Sequence, residues 1–207
     1  MRNDRPAFEE TLTGVFAEAS LRSKLLVGGL LCFLPGLHLF AFGWLARLLM
    51  RTRHGGRLEA LPFEPFPETL VAGLRLTVIF LVVPGIPLSA GILIGWALAG
   101  LTGGLLGWIG WLVGVAGAVI GLTGWACAID RWLAEPDSWR CLKPDRLFRE
   151  TLACFQPLLV PVVGLTGLVF LLSPLYGPAG FLALVALSLH SQRLFRLARQ
   201  RADDPRG

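Results

Sequence analysis

The chain has 207 residues, of which 54% are hydrophobic and only 16% are charged. About a quarter of the residues of a soluble domain are charged, so this composition excludes a soluble enzyme, a disordered protein and a nucleic-acid-binding domain. The 19 basic and 14 acidic residues fall in four groups, which are separated by charge-free blocks at 25–46, 76–129 and 151–192. Since a membrane span needs about 20 apolar residues, these blocks predict about one, two and two candidate spans.

Residues 1–24 are predicted to form a cytoplasmic segment that is retained in the protein, because they are acidic as well as basic and lack a small-residue cleavage site. Apolar residues at helical spacing predict an amphipathic helix over 7–21; they are Phe8, Leu12, Val15, Phe16 and Ala19. Such a helix either lies along the membrane surface or packs as an ordinary cytoplasmic helix. Both alternatives remain open at this point.

The first charge-free block is interrupted by Leu34-Pro35-Gly36. Pro35 removes a backbone donor, and Gly36 allows a sharp reversal of the chain. The block is therefore either one kinked span or a helical hairpin that returns to the same side. The charged groups on both sides of the block are similarly basic, so both are expected on the cytoplasmic side. This favours a re-entrant hairpin, with arms of about ten residues that are too short to span the bilayer. Its free backbone groups would be satisfied against other helices.

The second block predicts spans near 77–99 and 105–129, with a kink at Pro84 and Pro87. The third block predicts spans near 156–172 and 177–192. Each of these is only about 25 Å long at 1.5 Å per residue, so we expect both helices to extend into flanking charged residues that snorkel.

The four charged groups also predict the orientation in the membrane. Each group holds four or five Lys and Arg residues, and these residues favour the cytoplasmic side. We therefore predict an all-α, multi-pass protein of the cell inner (cytoplasmic) membrane, with four transmembrane helices, the N-terminal re-entrant hairpin and both termini in the cytoplasm. Residues 25–200 would form a single membrane domain and 201–207 a disordered basic tail. The basic loops would contact anionic lipid headgroups, and we expect no nucleic acid as a partner.

A stripe of glycines is the most regular pattern in the chain. Its spacings alternate between four and three residues, which places one helix face at Gly103, Gly107, Gly110, Gly114, Gly117, Gly121 and Gly124. In lipid, small residues let two helix backbones approach closely. Packing within the chain, against Gly91 and Gly95, is favoured over a self-association face that lines an oligomeric pore.

Polar residues at membrane depth are functional hypotheses by default, and the candidates here are His38, Gln156 and His190. A helix-packing hydrogen bond is the favoured interpretation of His38. The predicted spans hold no carboxylate, and no pattern suggests a metal site, a cofactor or a catalytic set. We therefore expect a non-enzymatic scaffold or accessory subunit, with a membrane-protein partner or a second copy of the chain as its partner. An oligomeric channel or transporter built on the striped helix is the alternative, followed by an interfacial membrane enzyme.

Four motifs in a fixed order carry a family resemblance. They are K-x-x-x-G-G with a following Leu34-Pro35, G-aromatic-x-x-R at 43–47, Leu61-Pro62, and Gly73-Leu74-Arg75. Together they resemble a prokaryotic multi-pass membrane family, the domain of unknown function numbered four-zero-one-three. The chain departs from the family pattern after L-P, where the family has an aromatic–acidic pair and this sequence has Glu64-Pro65-Phe66-Pro67. The resemblance covers most of 20–196 and implies a bacterial or archaeal membrane protein, with no catalytic residues to carry over.

Overall fold

The computed structural model of the chain is helical. It describes residues 8–34, 36–54, 56, 62, 66–136 and 138–203, with side chains as far as 200. No strand occurs among these residues, which confirms the predicted all-α class. Three helices are long and apolar enough to cross a membrane and indicate a membrane protein; they are Phe66–Leu101, Gly107–Ala134 and Pro144–Leu171.

The helices are numbered in chain order through the described residues. They are α1 (Phe8–Ala17), α2 (Ala19–Leu31), α3 (His38–Arg53), α4 (Phe66–Phe80), α5 (Ile86–Leu101), α6 (Gly107–Ala134), α7 (Pro144–Leu171) and α8 (Tyr176–Asp203). A π-helical turn, Leu81–Gly85, joins α4 to α5, and 3-10 turns precede α7 and α8. The last two helices run well into their flanking charged residues, which confirms the predicted extension.

The chain divides into two compact units. Unit 1 comprises the described residues of 1–77 and 167–207, and unit 2 is formed by those of 78–166. The sequence predicts a single membrane domain and a disordered tail from residue 201. Both stay predictions; α8 continues through Asp203, and 204–207 lie outside the described part.

α8 is the central helix of unit 1. Almost every residue from 181 to 192 is buried, and Phe181 and Val185 are at most 1% exposed. The ring of Phe181 lies directly over Gly28 of α2, and its centroid is 6.2 Å from that of Trp44 on α3. The apolar core of this unit therefore forms around one helix that the other helices enclose.

The chain reverses between α2 and α3. Gly36 in this turn has φ +87°, which glycine adopts without steric cost. Just before the turn, the ring of Phe33 lies 4.8 Å from that of Tyr176, the first residue of α8. Phe181 of α8 contacts both Gly28 of α2 and Trp44 of α3, so the two helices double back beside α8 and the break is a turn between them. Pro35 itself lies outside the described residues.

The predicted amphipathic helix over 7–21 is interrupted at Glu18, whose backbone is extended (φ −96°, ψ 118°). The part before this break is α1, which packs on α8. Its buried face includes Thr11 and Val15, which are 1% and 0% exposed. Phe16 belongs to the predicted apolar face but is 45% exposed. The face of α1 that packs is therefore rotated from the one that the apolar spacing indicates.

α5 and α6 form an antiparallel pair in unit 2. The turn between them contains Gly103 and Gly104, with φ +61° and +96°. Thr102 closes this turn, because its hydroxyl donates to the Leu98 carbonyl at 2.6 Å and accepts from the Leu106 N–H at 3.1 Å. The turn is thus fixed by local hydrogen bonds that need no charged residue.

Candidate functional site

Glycines form the surface where α5 and α6 meet. A Cβ atom added to Gly110 would overlap the Cα of Gly95, and one added to Gly91 would overlap the Cα of Gly114. The two backbones therefore touch directly, which increases dispersion contacts where the bilayer supplies no hydrophobic driving force.

The same contact continues along α6 toward the π-turn. A Cβ on Gly117 would lie 2.9 Å from the Pro87 carbonyl oxygen, and one on Gly121 would lie 2.6 Å from the Cα of Pro84. The predicted stripe residues that face α5 or the π-turn are Gly107, Gly110, Gly114, Gly117, Gly121 and Gly124. Gly103 is different, because its left-handed conformation places it in the turn before α6, with open space around it.

Pro84 and Pro87, where the sequence predicts a kink, lie in the π-helical turn and in the first turn of α5. Pro84 lies inside this turn and has no N–H to donate, so a wider turn can accommodate the interrupted hydrogen-bond ladder. The rings of Phe80 and Trp125 meet edge to face beside it, with centroids 5.5 Å apart. Both prolines therefore shape the surface on which the α6 glycines pack.

Two glycines from the family-like motifs meet where α3 approaches α4 in unit 1. A Cβ on Gly73 would overlap the Leu39 carbonyl and lie 2.9 Å from the Gly43 nitrogen, and one on Gly43 would overlap the Thr69 carbonyl. One helical turn further on, Arg47 donates to the Thr69 hydroxyl at 3.3 Å. These motif residues thus hold two helices at close range.

A first polar network lies between α1 and α8. His190 is 3% exposed, and its Nδ1 is 3.3 Å from the Thr11 hydroxyl. Arg193 donates to the same hydroxyl oxygen at 3.4 Å, which leaves the hydroxyl hydrogen for the imidazole. The ring of Phe8 covers His190 edge-on at 5.1 Å. The predicted intramembrane histidine is therefore enclosed and hydrogen-bonded.

A second polar network joins α8 to α3. The Thr52 hydroxyl donates to Gln192 Oε1 at 2.8 Å, and Gln192 Nε2 donates to the Leu49 carbonyl at 3.2 Å. Arg196 then caps the end of α3 by donating to the Thr52 carbonyl at 2.5 Å. Thr52 and Gln192 are 9% and 7% exposed, so the network satisfies polar atoms that burial would otherwise penalise.

The other predicted polar residues have separate roles. His38 lies at the hairpin turn, where its Nδ1 accepts the Gly36 N–H at 3.2 Å. His190 lies toward the opposite end of α8, so the two histidines do not share a site. Gln156 is exposed on α7 in unit 2.

Charged and thiol groups meet near the ends of α6 and α7 in unit 2. Arg131 Nε lies 3.7 Å from Glu150 Oε2, while the buried Arg131 Nη1 has no hydrogen-bond partner among the described residues. The thiols of Cys127 and Cys154 are within hydrogen-bond distance of each other. In the connecting loop, burial raises the pKa of the Cys141 thiol, which opposes its ionisation.

No group of three His, Cys, Asp or Glu residues in the described part of the chain is placed to hold a metal ion. Comparison of the chain with protein-family models, with curated proteins and with solved structures finds no match. The helix contacts and the two polar networks are therefore the basis for a functional proposal.

Proposed function

We propose that the protein is a non-enzymatic scaffold or accessory subunit of the inner (cytoplasmic) membrane. The observation that carries this proposal is that the glycine face of α6 contacts the chain's own α5 and π-turn. An oligomeric channel or transporter built on that face would need it free for other subunits. The resemblance to the four-zero-one-three family supports the same class of membrane protein.

The proposed topology has α8 as a fourth span, with the α2–α3 hairpin beside it. The contact between Phe33 and Tyr176 supports insertion of the hairpin turn to the same depth as the start of α8. In this topology the hairpin would reach further across the bilayer than the arms of about ten residues predicted from the sequence. Arg47 would then lie within the hairpin, where it donates to the Pro62 carbonyl at 3.2 Å and to Thr69.

The ends of α3 and α8 carry the basic residues proposed to contact anionic lipid. α3 ends in Arg51 and Arg53, and the end of α8 holds Arg193, Arg196 and Arg199. Cations are favourable at helix C-termini, and each basic residue near an anionic leaflet contributes about 1 kcal/mol of attraction. The cytoplasmic end of unit 1 would therefore be held at the headgroups.

Labelling of single cysteines in intact cells tests this topology. In a cysteine-free background, Thr102→Cys and Tyr176→Cys should react with an impermeant maleimide from outside, because each lies in or directly after an uncharged turn. Leu34→Cys, at the exposed hairpin turn, should behave like Tyr176→Cys. Arg199→Cys is the inside control. Labelling of positions 102 and 176 from inside only contradicts the proposed topology.

Reconstitution tests the function. The purified protein in vesicles with and without anionic lipid should move no ion or small solute, and it should be more stable in the anionic vesicles. Chemical crosslinking in its native membrane should yield a discrete adduct with another membrane protein. Solute flux by the protein alone would instead support the transporter.

A further inference from the structure

Two cysteines from different helices meet in unit 2. Cys127 of α6 and Cys154 of α7 have their thiols within hydrogen-bond distance, and both are free. Nothing in the scaffold proposal uses these thiols. Two thiols in contact across a helix interface require only small side-chain rotations to become a disulfide, provided that the backbones are close enough.

α6 approaches α7 at Gly124, which has no side chain. A Cβ atom on Gly124 would lie 3.3 Å from the Thr151 hydroxyl oxygen, and that hydroxyl is fixed by donation to the Leu147 carbonyl at 2.7 Å. The ion pair of Arg131 with Glu150, at 3.7 Å, sets the register of these two consecutive helices, which run in opposite directions. Cys127 lies four residues before Arg131 and Cys154 four residues after Glu150, so both thiols lie about one helical turn from the ion pair, on the same side of it.

The two thiols differ in exposure. Cys127 is 3% exposed, whereas Cys154 is only partly buried. Asp130 follows Cys127 by three residues and Glu150 precedes Cys154 by four, so both thiols lie within about 6 Å, along the helix axis, of residues that prefer water. A small neutral oxidant can reach Cys154 at this depth, while Cys127 is shielded.

We propose that Cys127 and Cys154 form a redox-active dithiol that peroxide oxidises reversibly to a disulfide between α6 and α7. The pair is favoured as a redox site over a structural zinc site, which needs four ligands, because no third metal-binding side chain joins it among the described residues.

The chemistry is balanced with one peroxide molecule. The Cys154 thiolate attacks one peroxide oxygen, an S–O bond forms, the O–O bond breaks, and the departing hydroxide takes up the proton that Cys154 lost. The Cys127 thiolate then attacks the sulfur of the sulfenic acid, forming the S–S bond and releasing a second water. Sulfur loses two electrons, and peroxide oxygen gains them. A dithiol reductant reverses the change by exchange.

The disulfide would join the two helices on either side of the loop that contains Trp139–Leu142. This loop lies between α6 and α7, so oxidation would close it into a covalent ring at the end that carries Arg131 and Glu150. The proposal does not depend on the scaffold function, because it concerns a contact within unit 2.

Thiol counting on the full-length protein in vesicles tests the proposal. Hydrogen peroxide is added, the free thiols are alkylated in denaturant, and the protein is digested for mass spectrometry. We expect two of the four cysteines to escape alkylation, a crosslinked peptide that joins residues 127 and 154, and full recovery after dithiothreitol. The Cys32→Ser/Cys141→Ser variant should give the same result.

Single variants separate the two roles. In Cys127→Ser, a dimedone adduct should accumulate on Cys154, because the resolving thiol is missing; in Cys154→Ser, Cys127 should remain alkylatable. Phenylarsine oxide, which bridges adjacent thiols, provides an independent check of the contact. If it protects both thiols but peroxide does not link them, the redox role is wrong. Four alkylatable thiols after peroxide, or a disulfide through Cys32, Cys141 or a second chain, would equally overturn the proposal.

Discussion

The two units hold their helices together in different ways. In unit 2, α5 and α6 meet through backbone, because Gly91, Gly95 and Gly110 leave no side chain between them. In unit 1, α8 is surrounded by large apolar groups and by two polar networks, centred on His190 and Gln192. From this comparison we expect a glycine interface to tolerate almost no added volume, and a polar interface to tolerate volume but not the loss of a hydrogen-bond partner.

The largest expected effect is in the glycine interface. Gly110→Ala places a methyl group on the Gly95 backbone, and overpacking of this kind should lower the free energy of unfolding by about 3 kcal/mol. Gly114→Ala is the matched control on the same helix face, since its Cβ would lie 3.9 Å from the nearest atom, the Gly91 carbonyl carbon. Denaturant unfolding in detergent micelles, followed by circular dichroism, measures both. Equal stability of the two variants would contradict the backbone contact.

This pair of variants also shows what the sequence can predict. The alternating spacing identifies the α6 face, because every stripe glycine on α6 belongs to one continuous helix. It does not separate Gly110 from Gly114, since the relative offset of two packed helices determines which glycine lies against a Cα atom. The break at 34–36 is likewise evident from Pro35 and Gly36.

The polar networks could not be predicted in the same way. Thr52 and Gln192 are separated by 140 residues in the chain, and neither residue stands in a motif. Thr11 lies on a helix whose apolar spacing suggests a different buried face, because the partner helix α8 presents His190 to it. Pairing of this kind depends on which helices become neighbours, and the charge pattern does not specify that.

Unit 1 also has glycine contacts, and the one at Gly73 tests whether the two units differ only in degree. Gly73→Ala should place its Cβ on the Leu39 carbonyl and lower the free energy of unfolding by about 2 kcal/mol. The control is Gly14→Ala, whose Cβ would make an ordinary 3.6 Å contact with Arg193. If Gly73→Ala destabilises the protein as much as Gly110→Ala in the same unfolding assay, backbone contact is equally important in both units.

The stability of the α3–α8 network should depend more on the hydroxyl group at position 52 than on the volume of that side chain. Thr52→Val keeps the shape of the side chain but removes the hydroxyl that donates to Gln192. The buried amide oxygen then lacks its partner, so we expect a loss of about 1.5 kcal/mol of stability. Thr52→Ser retains the donor and should lie closer to the parent protein. A valine variant as stable as the serine variant would show that the hydrogen bond contributes nothing.

The smallest effect is expected in the α1–α8 network. Thr11→Val removes the hydroxyl beside His190 Nδ1, at a cost of about 1 kcal/mol, and Thr11→Ser is the control. The double variant Thr11→Val/Thr52→Val then shows whether α8 carries one network or two. Additive losses of stability in the unfolding assay mean independent networks, as expected from their separate partner helices, α1 and α3. A loss for the double variant that differs from the sum of the single losses by more than about 0.5 kcal/mol would mean coupling through α8. In that case the two polar networks depend on each other, and together they fix the position of α8.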